Sequence, residues 1–225
     1  MQKNILWHVL ENSQIATAVS QHILEAAAKA IADHGNFKLV LAGGSTPEKV
    51  YRLLGDAKTD WSLWTIYFGD ERCLPKEHAD RNSLMAQTSF LDKVAIPKEQ
   101  IFVIPAELGP ETAAKLYQQV VAKALPFDMV LLGMGEDGHT ASLFPGQTHP
   151  ENELAHAVYD SPKPPLERVS MSATALSNTT ELIFIITGAG KKDAVKLWRL
   201  GQDLPIARIV PNNAVDVYID TEAYA

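Results

Sequence analysis

Residues 131–146, LLGMGEDGHTASLFPG, place a histidine and an aspartate two positions apart on a glycine-rich segment that leaves an apolar run. Residues 128–132 read as a buried strand, and Gly133, Gly135 and Gly138 let the backbone turn sharply at its carboxyl end. In open α/β sheets that edge is where ligands bind. His139 can accept a proton near neutral pH, and Asp137 can fix the orientation of its ring. Such a pair suits hydrolysis.

Three further turns carry unusual polar content. Gly43-Gly44-Ser45-Thr46-Pro47 leads into a helix start with two glycines and two hydroxyls, an arrangement that presents free N–H groups to a phosphate and also serves as an ordinary helix cap. Gly69-Asp70-Glu71-Arg72 follows an apolar strand as a charged loop. Arg72 offers a planar fork for a phosphate or a developing oxyanion, and Asp70 is placed to orient either Arg72 or His139. In Gly188-Ala189-Gly190-Lys191 a lysine stands in the first helical turn, where the helix dipole disfavours a cation unless an anion binds there; the alternative is a solvated lysine. A parallel sheet brings such turns to one edge.

Several familiar chemistries are absent. Gly133, Gly135 and Gly138 match the spacing of a dinucleotide fingerprint, with Asp160 at a distance suited to a ribose, but Pro145, Gly146 and Pro150 break the helix that should follow. Gly190-Lys191 is not a P-loop, because Lys192 stands where a hydroxyl would hold magnesium. There is no G-x-S-x-G elbow, no HExxH and no paired Cys/His spacing. Of the seven histidines, His22 falls on the apolar face of a helix and reads as packing, His8 falls in a strand, and His34, His78, His149 and His156 read as surface or loop residues.

These residues need elements to hold them. Ile15, Val19, Ile23, Ala26, Ala27 and Ala30 recur at helical spacing, predicting one long helix capped by Asn12 or Ser13 and ended by Gly35. Residues 37–41 read as strand, and a helix opened by Thr46 has Pro47 at its first position. Strands at 65–68, 101–104 and 127–132 alternate with helices at 82–90 and 111–123. Residues 145–168 read as a surface excursion with a short strand near Val158, loops of this size often being functional. Strands at 168–172 and 182–187, a helix at 191–200 and a last strand at 215–220 complete the pattern. Alternation of this kind implies a mostly parallel, Rossmann-like sheet covered on both faces, and one domain over 1–225.

Net charge −7 and the scarcity of basic runs argue against a nucleic-acid or anionic-membrane surface. Cys73 is the only cysteine, so no intrachain disulfide forms. The apolar run at residues 5–10 is too short for a secretory signal and no stretch is long enough to span a bilayer, which predicts a cytoplasmic protein.

LAGGSTPEKVY, FGDERCLP, GMGEDGHTASLFPG, SPKPPLERVSMS and TGAGKKDAV, in that order and spread over most of the chain, closely resemble the 6-phosphogluconolactonase family. The resemblance implies a three-layer α/β/α sandwich shared with glucosamine-6-phosphate deaminase and ribose-5-phosphate isomerase. It implies hydrolysis of 6-phospho-D-glucono-1,5-lactone to 6-phosphogluconate, the second step of the oxidative pentose phosphate pathway, without metal or organic cofactor and with no obligate protein partner. By motif, His139 corresponds to the family's catalytic histidine with Asp137 beside it. Arg72, Arg168 and Lys191 match basic positions associated with the substrate phosphate, Gly43, Gly44, Ser45 and Thr46 match its backbone cradle, and Asp70 joins the substrate-binding set. Cys73 and Leu74 depart from the family's DERxVP pattern without touching a charged role. The related deaminases are similar to DGHIAFNEP and DEY, where this chain has ASLFP and Arg72. A sugar-phosphate sensor that had lost the chemistry is the alternative of another class; the intact Asp137 and His139 pair argues against it.

Overall fold

A computed structural model describes residues 4–150 and 152–225. The chain begins with β1 (Ile5–Leu10), α1 (Asn12–His34), β2 (Phe37–Leu41), α2 (Ser45–Leu54), β3 (Trp64–Phe68), β4 (Asp70–Arg72) and α3 (Asn82–Ser89). Next come α4 (Pro110–Ala124) and β5 (Phe127–Gly133), then an excursion bearing β6 (Ala155–Val158) and β7 (Arg168–Met171). The described chain closes with α5 (Ala173–Ser177), β8 (Thr179–Ile186), α6 (Lys192–Arg199), β9 (Val215–Asp220) and α7 (Thr221–Tyr224).

Six strands form a wholly parallel sheet in the order β1-β9-β8-β5-β2-β3. Its central strands are apolar almost without interruption, as at Met129 to Leu132 and Leu182 to Ile186, all buried, which is the signature of strands covered on both faces. Right-handed crossovers explain the layers. The chain moves one way across the sheet through α1 and α2, which pack together, and returns through α4 and α6, so the two pairs take opposite faces. No described helix is long and apolar enough to cross a membrane.

A second sheet, β4-β7-β6, is antiparallel, and it is not anticipated in the sequence. Asp70–Arg72, expected as a loop, is a strand because the excursion folds back to pair with it, Asp70 opposite Ser170 and Arg72 opposite Arg168. Gly69 joins the sheets: its N–H donates to Leu41 O at 3.0 Å and its carbonyl accepts from Met171 N at 2.8 Å. α4 covers β6 and β7.

Other boundaries shift for local reasons. α1 is capped by Glu11, whose amide donates to Gln14 Oε1 at 3.2 Å. α2 begins at Ser45, one residue before Thr46, because Gly44 adopts φ 110° and turns the chain there, a conformation costly for any other residue. Residues 101–104 contribute only a bridge from Ile101 to Ile66. Lys191 ends a 3-10 turn, Ala189–Lys191, and α6 follows it.

His22 does more than pack. Its ring bonds Tyr218 Oη and Glu181 Oε2, each at 2.9 Å, tying α1 to β9 and β8. The Glu181 hydrogen bond raises the imidazole pKa above its ordinary value against the opposing effect of burial, with the charges of Glu181, Asp216 and Glu25 adding to the rise. A raised folded-state pKa contributes stability that is fully present below the unfolded value of ~6.5 and is lost as pH climbs through the folded value. The difference in melting temperature between the wild type and Glu181→Gln should therefore be largest in mild acid and shrink above neutrality, and thermal melts across pH 5–9 check it.

Candidate functional site

The carboxyl ends of β2, β3 and β5 open into a crevice of about 320 Å³, within the range of small-ligand sites. It is lined by Gly43 and Gly44, by Asp70 and Arg72, by His139 and Phe144, and by Lys163, Arg168 and Lys191. Three separate turns thus converge, as their positions after parallel strands require. A larger hollow of about 1070 Å³ lies beside β1 and α5. Its arginines are engaged: Arg208 pairs with Asp203 at 2.7 Å, and Arg199 donates to Tyr224 O at 3.2 Å.

In the crevice, His139 Nδ1 lies 2.5 Å from Asp137 Oδ1, and the same carboxylate oxygen accepts from His139 N at 3.1 Å. Gly135 makes this contact possible, since a Cβ there would stand 2.0 Å from His139 Nδ1 and 2.6 Å from Asp137 Oδ1. Burial is the largest influence on His139 and lowers its pKa below the ordinary value, although Asp137 and Asp70 push the other way. For Asp137, burial acts upward, yet the charge and hydrogen bonds of His139 bring the net shift below the usual carboxylate value. Burial thus favours the uncharged form of the ring. With Nδ1 donating to Asp137, Nε2 is the nitrogen left to accept a proton. The ring packs on Phe144 with centroids 4.8 Å apart.

Asp70 orients neither Arg72 nor His139 directly. It is 7% exposed, accepting from Ser142 Oγ at 2.6 Å on one oxygen and from Asn82 Nδ2 at 3.1 Å on the other. Ser142 N in turn donates to Ser170 Oγ at 3.2 Å. Arg72 donates from one terminal nitrogen to Asp80 O at 2.6 Å, while its Nε is buried without a partner. Arg168 is buried, and its guanidinium donates to the carbonyls of Lys163, Pro164 and Pro165. Burial lowers the pKa of the Lys191 ammonium, an effect that Glu136 opposes and Lys163 reinforces. Gly43 and Gly44 line the crevice, whereas Ser45 and Thr46 are not part of its lining; Thr46 Oγ1 lies 2.7 Å from Thr187 Oγ1. Among the described residues no three His, Cys, Asp or Glu side chains are grouped to hold a metal ion.

Comparison with known proteins places the chain in a family. The family model for glucosamine-6-phosphate isomerases/6-phosphogluconolactonase covers residues 10–218. The chain belongs to this family. It is 33% identical over 230 residues to the 6-phosphogluconolactonase of Rattus norvegicus, covering 94% of this chain and 89% of that one. A probable chloroplastic 6-phosphogluconolactonase of Oryza sativa is 35% identical over 201 residues, 81% of this chain and 62% of the relative, so the chain spans about 62% of that longer protein. The crystal structure of 6-phosphogluconolactonase from Thermotoga maritima superposes with a TM-score of 0.91 at 25% identity, covering 96% of this chain and 100% of that one.

Within this family's scaffold, several positioning residues gave little or no sign in the sequence. Asp220, at the end of β9, accepts from Gly188 N at 2.8 Å and Asn12 Nδ2 at 2.7 Å, and so fixes the turn that presents Lys191. Glu71 is fully buried and receives the amides of Arg72, Asn82 and Ser83 at 2.8 to 2.9 Å, anchoring the start of α3 beneath Arg72. Its Oε2 also lies 3.3 Å from Nε of Arg81, which is 1% exposed. Only an alternation of charge and strand, DER after YFG, hinted at Glu71. Replacing Glu71 with Gln leaves the Arg81 charge with Glu107 as its one remaining carboxylate and is expected to cost about 3 kcal/mol of stability. Urea unfolding measures that loss, and an unchanged midpoint would show that Glu107 suffices.

Proposed function

We propose that this chain hydrolyses 6-phospho-D-glucono-1,5-lactone to 6-phospho-D-gluconate, the second step of the oxidative pentose phosphate pathway. The observation that carries the reading is the His139 ring held by Asp137 at 2.5 Å in the same crevice as the Gly43-Gly44 turn, Arg72 and Lys191. A base for water and a set of anion-binding groups at the far end are the two requirements of a phosphorylated lactone. Both sheets contribute to this one crevice, which supports a single catalytic domain.

In this reading His139 Nε2 takes a proton from a water molecule as its oxygen adds to the lactone carbonyl, and Asp137 stabilises the imidazolium that forms. The tetrahedral oxyanion is met by backbone amides of the glycine loops or by Arg72, a donor of this kind being worth ~2.7–4 kcal/mol of barrier. Collapse breaks the bond from the carbonyl carbon to the ring oxygen, and the imidazolium returns its proton to that oxygen. Arg72, Arg168 and Lys191, with the amides of the Gly43-Gly44 turn, hold the phosphate as a remote handle that aligns carbonyl and water. Arg168 serves this end of the site in part through the backbone of Lys163, which its guanidinium holds at 2.9 Å.

Replacing His139 with Ala should leave the fold intact and lower kcat by at least about a hundredfold. In the wild type, kcat/KM should fall as acid protonates the imidazole, with the midpoint below the ordinary value of ~6.5 because burial disfavours the cation. Acid release from freshly generated lactone, corrected for spontaneous opening, measures both; near-normal turnover by the Ala variant would remove the base from the scheme. Lys191→Ala should chiefly raise KM for the phosphorylated lactone. Equal damage towards unphosphorylated gluconolactone would show that its partner is not the phosphate.

A further inference from the structure

The carboxylate of Glu136 has no part in the scheme above, yet it stands at the rim of the phosphate end. Glu136 Oε2 is 3.6 Å from Lys163 Nζ. Its Oε1 lies over the turn before α6, close enough that a Cβ on Gly190 would stand 3.0 Å away. From there it also acts on the charge of Lys191. Lys163 and Lys191 line the crevice and Glu136 does not, so one exposed carboxylate on the histidine loop faces, from the rim, two ammonium groups brought in by the excursion and by the β8–α6 turn. Glu136 thus offsets one of the two ammonium charges that these lysines present to an incoming phosphate, which carries close to two negative charges at neutral pH.

We propose that Glu136 is a specificity-determining counter-ion: it competes with the phosphate of the substrate for Lys163 and Lys191 and so limits how tightly phosphorylated ligands, product included, are held. The inference rests on reading the crevice as a sugar-phosphate site. A carboxylate beside a bound phosphate is repulsive, and the repulsion is felt by substrate and product alike. Its presence therefore costs affinity and favours release. The side chain is 63% exposed, so the effect is that of a solvent-screened charge, modest in size and sensitive to salt.

Glu136→Gln keeps the shape and removes the charge. By calorimetry at low ionic strength, the variant should bind inorganic phosphate and 6-phosphogluconate about two- to fivefold more tightly than the wild type. The gain should shrink as salt is added, which a packing change would not reproduce. KM for the phosphorylated lactone should fall in step, and KM for unphosphorylated gluconolactone should move less. Unchanged or weaker binding of both phosphate probes by the variant, in a wild type that hydrolyses the lactone, overturns the inference and leaves the lactonase reading standing. A wild type that binds neither probe and opens neither lactone overturns both.

Discussion

Behind the crevice, three stretches of chain meet at one buried carboxylate. Asp70 comes from the strand after β3, Ser142 from the loop that carries His139, and Asn82 from the start of α3, and both oxygens of Asp70 are engaged by the other two. Ser142 extends the junction to Ser170 on β7. Buried polar groups hold their geometry because an unmet hydrogen bond is expensive away from water. The histidine loop, the arginine strand and the excursion are therefore fixed relative to one another by the polar interior beneath them. That junction ties the loop of His139 to the strand that carries Arg72.

A second restriction acts at the surface of the same loop. The Asp137 carboxylate and the imidazole ring approach across the space above Gly135, and any side chain there would occupy the position of the ring nitrogen. Loop composition and proton chemistry are one requirement at this point. Burial then lowers the pKa of the imidazole, which favours the form that can act as a base while the aspartate orients it.

The sequence made the parallel sheet and the main helices legible because their signals are local: apolar runs such as residues 127–132 and the helical spacing from Ile15 to Ala30 need no knowledge of distant partners. The pairing of His139 with Asp137 was legible for the same reason, being two residues apart on a glycine loop. What escaped depends on partners far along the chain. Asp70–Arg72 reads as a charged turn until β7 lies beside it. Glu71 reads as a solvated charge until the amides of α3 close over it. Asp220 and His22 acquire their roles only when β9, α1 and β8 are assembled. His149 and His156, read as loop residues, meet at 3.0 Å through the fold of the excursion.

The small antiparallel sheet bears on the order in which the molecule can form. Asp70 and Ser170 face each other across it although they lie on the order of a hundred residues apart, and closing so long a loop is entropically slow relative to neighbouring contacts. The six-stranded sheet can be in place while this pairing is still open. In such a partly assembled chain the glycine turns already stand at the strand ends, but neither Arg72 nor Arg168 has been delivered to them. The ligand site is complete only once this long-range closure of the backbone has been made.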